Sequence, residues 1–452
     1  LSRQMEYDAD LHQVRLVGGA TVAATFRRLP PLSIGESAAW RTLGDAWVEG
    51  VTVDSIPDLV VLGADGLSAE ELAALDKQTA EEKSGRFDTH PTTHDRIGRA
   101  SADRSTPRLE CAAPATRLFA DFPRLARELT LAILEQVHPG KISAEQLRPA
   151  SEILSRSGTE REAGQAAARW MGEETSPFLP FPGKGGALQA PAGECAETHR
   201  AAKAALLSLT PTTPAEREAM FAPFARHQQT FLIASYVATD RAYRDAEEGL
   251  TLRTAEDVES VRRRAWEEFR TRSAPLVERR RQIDRRLRAA LGWLASPEAL
   301  QAIADAPRRR DEVAALTRAL GSLEARRVEW TRIMAEFDAL AFWIQKAADE
   351  DLRDSASKAI PATFERTAAA IRTLREPLLA EPYPLDHADP TMTIGRYLVP
   401  EEVVATAPET VWEAAERLGG LFPWLSWQIV GRLALHAEAA EAALERTTAP
   451  SA

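Results

Sequence analysis

Residues 313–344 read VAALTRALGSLEARRVEWTRIMAEFDALAFWI. Val313, Leu316, Leu320, Leu323, Trp330, Met334, Phe337, Ala341 and Ile344 recur there at alternating steps of three and four, with an interruption at Arg327 where the next apolar residue is due. Side chains three and four apart share one side of a 3.6-residue helix, so the spacing predicts a long helix that buries one stripe. Working backwards, Leu276, Ile283, Leu287, Leu291 and Leu294 line one side of residues 255–294. Pro275 is expected to kink or split that helix, because proline lacks the N–H and crowds the preceding turn. The connection 295–310 contains Pro297 and Pro307. The two segments therefore predict a long antiparallel helical hairpin over 255–346, with Leu287 or Leu291 against Leu316 or Leu320.

The first arm is basic: eleven arginines stand between Arg262 and Arg288 against Glu267, Glu268, Glu278 and Asp284. Such a face suits anionic lipid head groups, nucleic acid, or a solvated helix paired with acidic neighbours such as those around 242–258, and the last reading is preferred. Few aromatics interleave the arginines, which argues against a stacking platform for single strands. The Ala-, Arg-, Glu- and Leu-rich composition begins near residue 109, so 109–452 reads as a helical domain of unassigned family. Within it, 121–136 is an amphipathic helix capped by Asp121, with Pro123 in its first turn and Leu125, Leu129 and Ile133 on one face. A Gly/Pro-rich stretch near 176–193 is a linker, and its Gly183-Lys184-Gly185-Gly186 lacks the ending and preceding strand of a phosphate loop.

The most apolar run, 418–435, contains Gly419, Gly420, Pro423, Gln428 and Arg432, too many interruptions for a span of about twenty apolar residues. Trp412, Trp424 and Trp427 suit either an interfacial belt or, more commonly, core packing. At 452 residues, a net charge of -11 and a pI near 5.5, the chain is expected to form two or three domains and not to bind nucleic acid. Cys111 and Cys195 cannot build a disulfide framework and have no Cys or His partner at metal spacing.

Before residue 109 the pattern is more broken. Residues 2–29 read as helix weakened at Gly18-Gly19 and stopped by Pro30-Pro31. Residues 34–62 are mixed and end in the apolar run Leu59-Val60-Val61-Leu62 before a turn at Gly63-Ala64-Asp65-Gly66. Ser68 and Glu71 form a capping box for a helix over 69–82, and 84–93 is a loop.

The residues that carry chemistry lie in two blocks, Ser2-Arg3-Gln4-Met5-Glu6-Tyr7-Asp8-Ala9-Asp10 and Thr89-His90-Pro91-Thr92-Thr93-His94-Asp95-Arg96-Ile97. Glu6 and Asp10 are like charges one helical turn apart, which repel unless a metal or an arginine lies beside them. His90 and His94 stand at i, i+4, which admits a reading as a zinc pair. Pro91 suits the first turn of a helix with His90 near its N-cap, so the two rings need not share a face. None of the eight histidines is followed by Glu, so no H-E-x-x-H helix is present.

The two blocks resemble the S-R-x-x-E-Y-x-A-D helix and the T-H-P-x-x-x-x-R-I segment of membrane zinc metallopeptidases related to HtpX and the CaaX prenyl proteases. The resemblance ends near residue 100. It implies a truncated zincin-type domain over 1–108, in which Glu6 is the third zinc ligand and Asp10 orients a ligand histidine. His90 would steady the tetrahedral intermediate, Arg96 would order the site, and Tyr7 and His94 would be packing and surface residues. The implied activity is hydrolysis of peptide bonds in a polypeptide substrate by zinc-activated water. The missing H-E-x-x-H helix and its flanking transmembrane helices are expected upstream of Leu1, so this chain is expected to be inactive and to retain no zinc. The full-length protein is expected in a membrane, with both domains on the cytoplasmic side. The competing reading is a non-enzymatic helical interaction or scaffold protein carrying a degenerate peptidase remnant.

Overall fold

The computed structural model describes residues 2–48, 50–82, 90–110, 113–140, 142–172, 192–245, 249–303 and 305–448. Cys111, most of the loop at 84–93 and residues 176–191 of the linker lie outside them. The described residues are mainly α, with seventeen α-helices and two two-stranded sheets. The chain divides into two compact units, Leu1–Thr159 and Glu160–Ala452.

The first unit contains α1 (Ser2–Val17), α2 (Gly19–Val48), β1 (Thr52–Val53), α3 (Ile56–Asp65), α4 (Ala69–Glu81), α5 (Thr93–Ala102), α6 (Phe122–Val137), β2 (Leu147–Arg148) and the start of α7 (Ala150–Met171). Gly18 separates α1 from α2 with φ +87°, a left-handed conformation that glycine adopts without a Cβ penalty. Pro30 and Pro31 do not stop the helix as expected; both lie inside α2. An interior proline costs about 3 kcal/mol. Against that, Val22, Ala23, Phe26, Pro31, Gly35, Ala39, Leu43 and Ala46 form one buried stripe across the prolines, and each large apolar side chain buried contributes about 1.5–3 kcal/mol. Tertiary packing wins.

The expected turn at 63–66 is also corrected. α3 runs through Asp65, with Ser55 as N-cap and Gly66 as C-cap. Gly63 sits within the helix against Gly35 of α2, where a Cβ on Gly35 would overlap the Val60 carbonyl. The capping box at Ser68 and Glu71 forms as expected at the head of α4.

The composition change at 109 does not coincide with the division at Thr159. β1 pairs in parallel with β2, and the Ile56 amide donates to Thr130 Oγ1 at 2.9 Å. Trp47 also stacks on His138 with ring centroids 3.9 Å apart. These links hold residues 122–153 to the same core as Val51, Val53 and Leu59. Asp121 caps α6 as expected, but the buried face is Ala126, Thr130 and Leu134, while Leu125 and Leu129 are exposed. The buried Thr130 hydroxyl has its partner on α3, and that bond selects the face.

The second unit comprises the rest of α7, α8 (Ala192–Ser208), α9 (Pro214–Val237), the antiparallel pair β3 (Tyr243–Arg244) and β4 (Thr251–Leu252), then α10 (Ala255–Arg272), α11 (Ala274–Trp293), α12 (Pro297–Ala302), α13 (Ala306–Glu324), α14 (Arg327–Lys346), α15 (Arg353–Leu378), α16 (Ile394–Leu398) and α17 (Pro408–Thr448). The split at Ser273-Ala274 follows from Pro275, which sits in the first turn of α11. The long helix read over 313–344 is instead two helices parted at Ala325 and Arg326. The apolar phase restarts after the break, so the large apolar side chains that α14 buries are Trp330, Ile333, Leu340 and Trp343, with Ile344 exposed. α10 packs on α9, α11 on α8, α13 on α17, and α14 on α15 and α9. α11 and α13 face one another across a small cavity lined by Ile283, Leu287, Thr317 and Leu320.

α17 runs through the middle of this unit, in contact with α11, α13, α14, α15 and α16. Its run 418–435 is core: Leu418, Phe422, Leu425, Ile429 and Leu433 are all buried. Trp412 packs on Phe337 with ring centroids 4.6 Å apart, and Trp424 stacks on Tyr397. No helix among the described residues is long and apolar enough to cross a membrane. Toward its C-terminal end, Glu441 is buried and takes two hydrogen bonds of 2.7 Å from Arg286 of α11 and another from His199 Nε2 of α8. Burial raises the Glu441 pKa, and the bonds from His199 and Arg286 outweigh it and hold the carboxyl at about 2. Three arginines of the basic arm pair one turn away on their own helix, Arg272 with Glu268, Arg281 with Glu278 and Arg288 with Asp284. Arg286 pairs instead with Glu441 of α17, and Arg262 with Glu259 at the edge of the acidic segment around 242–258.

Candidate functional site

Glu6 and Asp10 lie on one face of α1, where a spacing of four brings side chains into line. α5 faces them. Its N-cap is Thr92, whose hydroxyl accepts from the Asp95 amide. His90 and the buried Pro91 therefore precede the helix, which corrects the placement of Pro91 in a first turn and of His90 at the cap. His94 falls within α5 and is exposed.

The structure brings His90, Arg96, Glu6 and Asp10 together across more than eighty residues of sequence. His90 Nδ1 donates to Glu6 Oε1. Arg96 donates from Nε to Asp10 Oδ2 at 2.8 Å and from Nη2 to Asp10 Oδ1 at 2.6 Å, while its Nη1 stands 3.4 Å from Glu6 Oε2. One guanidinium thus lies between the two like charges of α1 and removes their repulsion. The hydrogen bond to Asp10 and the two carboxylates raise the Arg96 pKa, against the opposing effect of burial. Asp10 is 5% exposed and His90 is largely exposed. With Nδ1–H committed to Glu6, the Nε2 side of the imidazole is the part free to meet a ligand.

Aromatic residues complete the cluster. The Arg96 guanidinium lies 4.2 Å from the Phe26 ring centroid, and that of Arg99 lies 3.5 Å from the Tyr7 centroid. Tyr7 is in the first motif, but Phe26 of α2 is in neither, and the sequence signals it only as one more apolar residue of a helix. Gly19 sets the distance between α2 and α5, since a Cβ there would overlap the Ala100 carbonyl. Around it Val14, Val22, Ala23, Phe26 and Ala100 form a small core.

Among the described residues no group of three or more His, Cys, Asp or Glu side chains is placed to hold a metal ion. Both Glu6 oxygens already face donors, His90 at Oε1 and Arg96 at Oε2. A catalytic zinc needs three protein ligands and an open position, so these residues alone do not fit that ion. No protein-family model, curated protein or solved structure matches the chain.

Proposed function

We propose that the first unit carries one wall of the active site of a zinc-dependent, membrane-associated endopeptidase, the class that both motifs resemble. The observation that supports this is the meeting of Glu6 and Asp10 of α1 with Arg96 of α5 and with His90, which precedes α5. The resemblance calls for a carboxylate held in place and a ring nitrogen presented beside it, and α1 and the residues before α5 supply both. In this reading Arg96 orders the two carboxylates, and His90 in its imidazolium form, with Nδ1–H on Glu6, donates from Nε2–H to the carbonyl oxygen of a polypeptide, where a donor to the developing oxyanion is effective. The zincin-type fold of residues 1–108, the two remaining zinc ligands, the membrane anchor and the cytoplasmic placement are parts of the same proposal, as is the antiparallel helical hairpin over 255–346.

A second reading is favoured by a different observation. Each Glu6 oxygen faces one basic side chain, His90 or Arg96, which suits a structural ion-pair network in an interaction protein.

Zinc content by atomic absorption and cleavage of an unfolded polypeptide separate the two. The 452-residue chain is expected to retain no stoichiometric zinc after dialysis. A product extended upstream in the same reading frame is expected to retain one equivalent and to cleave, with His90→Ala keeping the metal and losing roughly a hundredfold or more in rate. An extended product with neither zinc nor cleavage leaves the interaction reading. Tight zinc on the 452-residue chain moves the metal to His90 and His94.

A further inference from the structure

We propose that Phe26 is a positioning residue: an aromatic shelf that fixes the plane of the Arg96 guanidinium so that one cation serves both Asp10 and Glu6. The assignment rests on the reading of those residues as a site. Arg96 presents Nε and Nη2 to Asp10 along one edge and Nη1 toward Glu6 along another, so each of its three nitrogens faces a carboxylate in the guanidinium plane. The Phe26 ring covers a flat face of the same guanidinium at 4.2 Å. A guanidinium over an aromatic face is attracted by the ring quadrupole and loses its freedom to swing out of plane, and the attraction is stronger where water is excluded. Phe26 is 8% exposed and fixed within the core of Val14, Val22, Ala23 and Ala100. Its position depends on the reversal of the chain at Gly18 and on the close approach of Gly19 to Ala100. Without the shelf, the two bonds to Asp10 persist and the reach to Glu6 does not, because rotation about the Asp10–Arg96 pair carries Nη1 away.

The test compares ring with volume. Phenylglyoxal labels unshielded arginines, and peptide mass spectrometry of the labelled 452-residue chain reads Arg96 against Arg99 as an internal control. Phe26→Met keeps nearly the same volume without a π face and is expected to raise the Arg96 labelling rate about tenfold, whereas Phe26→Tyr keeps the wild-type rate. Should Phe26→Met fail to fold, pentafluorophenylalanine at position 26 keeps the ring shape and reverses its quadrupole. It is expected to raise Arg96 labelling severalfold. Labelling of the methionine variant, or of the fluorinated chain, at the wild-type rate overturns the shelf and leaves Phe26 as filler. The measurement does not use peptidase activity, so an inactive extended product sinks the functional reading and leaves this result intact.

Discussion

Arg96 holds Asp10 through two parallel hydrogen bonds, Nε to Oδ2 at 2.8 Å and Nη2 to Oδ1 at 2.6 Å, with the Asp10 carboxylate almost wholly withdrawn from water. Breaking such a pair from one side costs about 3–5 kcal/mol, since the surviving charge is left buried and alone. Arg96→Ala is therefore expected to lower the unfolding free energy of the first unit by an amount in that range, read as a fall in its urea midpoint at unchanged m. Arg96→Lys should recover only part of it, because an ammonium cannot reproduce the fork. Asp10→Ala should cost less than Arg96→Ala, since Arg96 retains some access to water.

Glu441 makes the second unit acid-sensitive in a defined window. Its pKa lies at about 2 in the fold, against about 4.3 in an unfolded chain. A depressed carboxyl contributes stability that is fully present above the unfolded value and is lost as pH falls from there through the folded one. The contribution is on the order of 3 kcal/mol. Urea unfolding of wild type and Glu441→Gln, followed from pH 6 down to 2, should show the gap between them closing between about pH 4 and 2. A constant gap over that range would falsify the assignment.

The glycines sort by what a methyl group would meet. At Gly431 of α17 a Cβ would overlap the backbone of Ala163, whereas at Gly420 of the same helix and Gly44 of α2 nothing lies within 4 Å. Gly431→Ala should force two helices apart and destabilise by roughly 1–3 kcal/mol or more. Gly420→Ala and Gly44→Ala should stabilise by up to about 1 kcal/mol through helix propensity. Thermal melting of the three variants checks both signs.

Surface charge in the basic arm should matter little by comparison. Arg272 and Arg281 each pair with an acid one turn away on an exposed face, an arrangement worth about 0–1 kcal/mol. Arg272→Ala and Arg281→Ala are expected to melt within a few degrees of wild type. Arg286→Ala strips the buried Glu441 of two hydrogen bonds and should cost several times more.

Local signals in this chain were legible where the chemistry is local. The Ser68 and Glu71 capping box, the Asp121 cap and the split ahead of Pro275 each depend on residues within a few positions, and each forms, while the weakening read at Gly18-Gly19 goes further and separates two helices. Glu6, Asp10, His90 and Arg96 could be named as one set because they belong to spaced motifs, and they do meet. Long-range choices were not legible. Pro30 and Pro31 sit in a helix because neighbours bury the stripe around them, and α6 turns Thr130 inward because its hydroxyl meets the Ile56 amide. Phe26 looks like any core phenylalanine until Arg96 is placed over it. Glu441 looks like one more acid on an Ala-rich helix until His199, 242 positions earlier, reaches it.

α17 is 41 residues long, which makes it a rod of about 60 Å, and it follows in sequence every helix it packs against. During synthesis α11, α13, α14 and α15 leave the ribosome before it, with no partner for the faces that α17 later covers. The second unit therefore has to close after translation has passed residue 440 or beyond, around a helix delivered late. Nascent chains halted before that point display apolar surface that chaperones bind, so the vulnerable period of this protein's life is its birth.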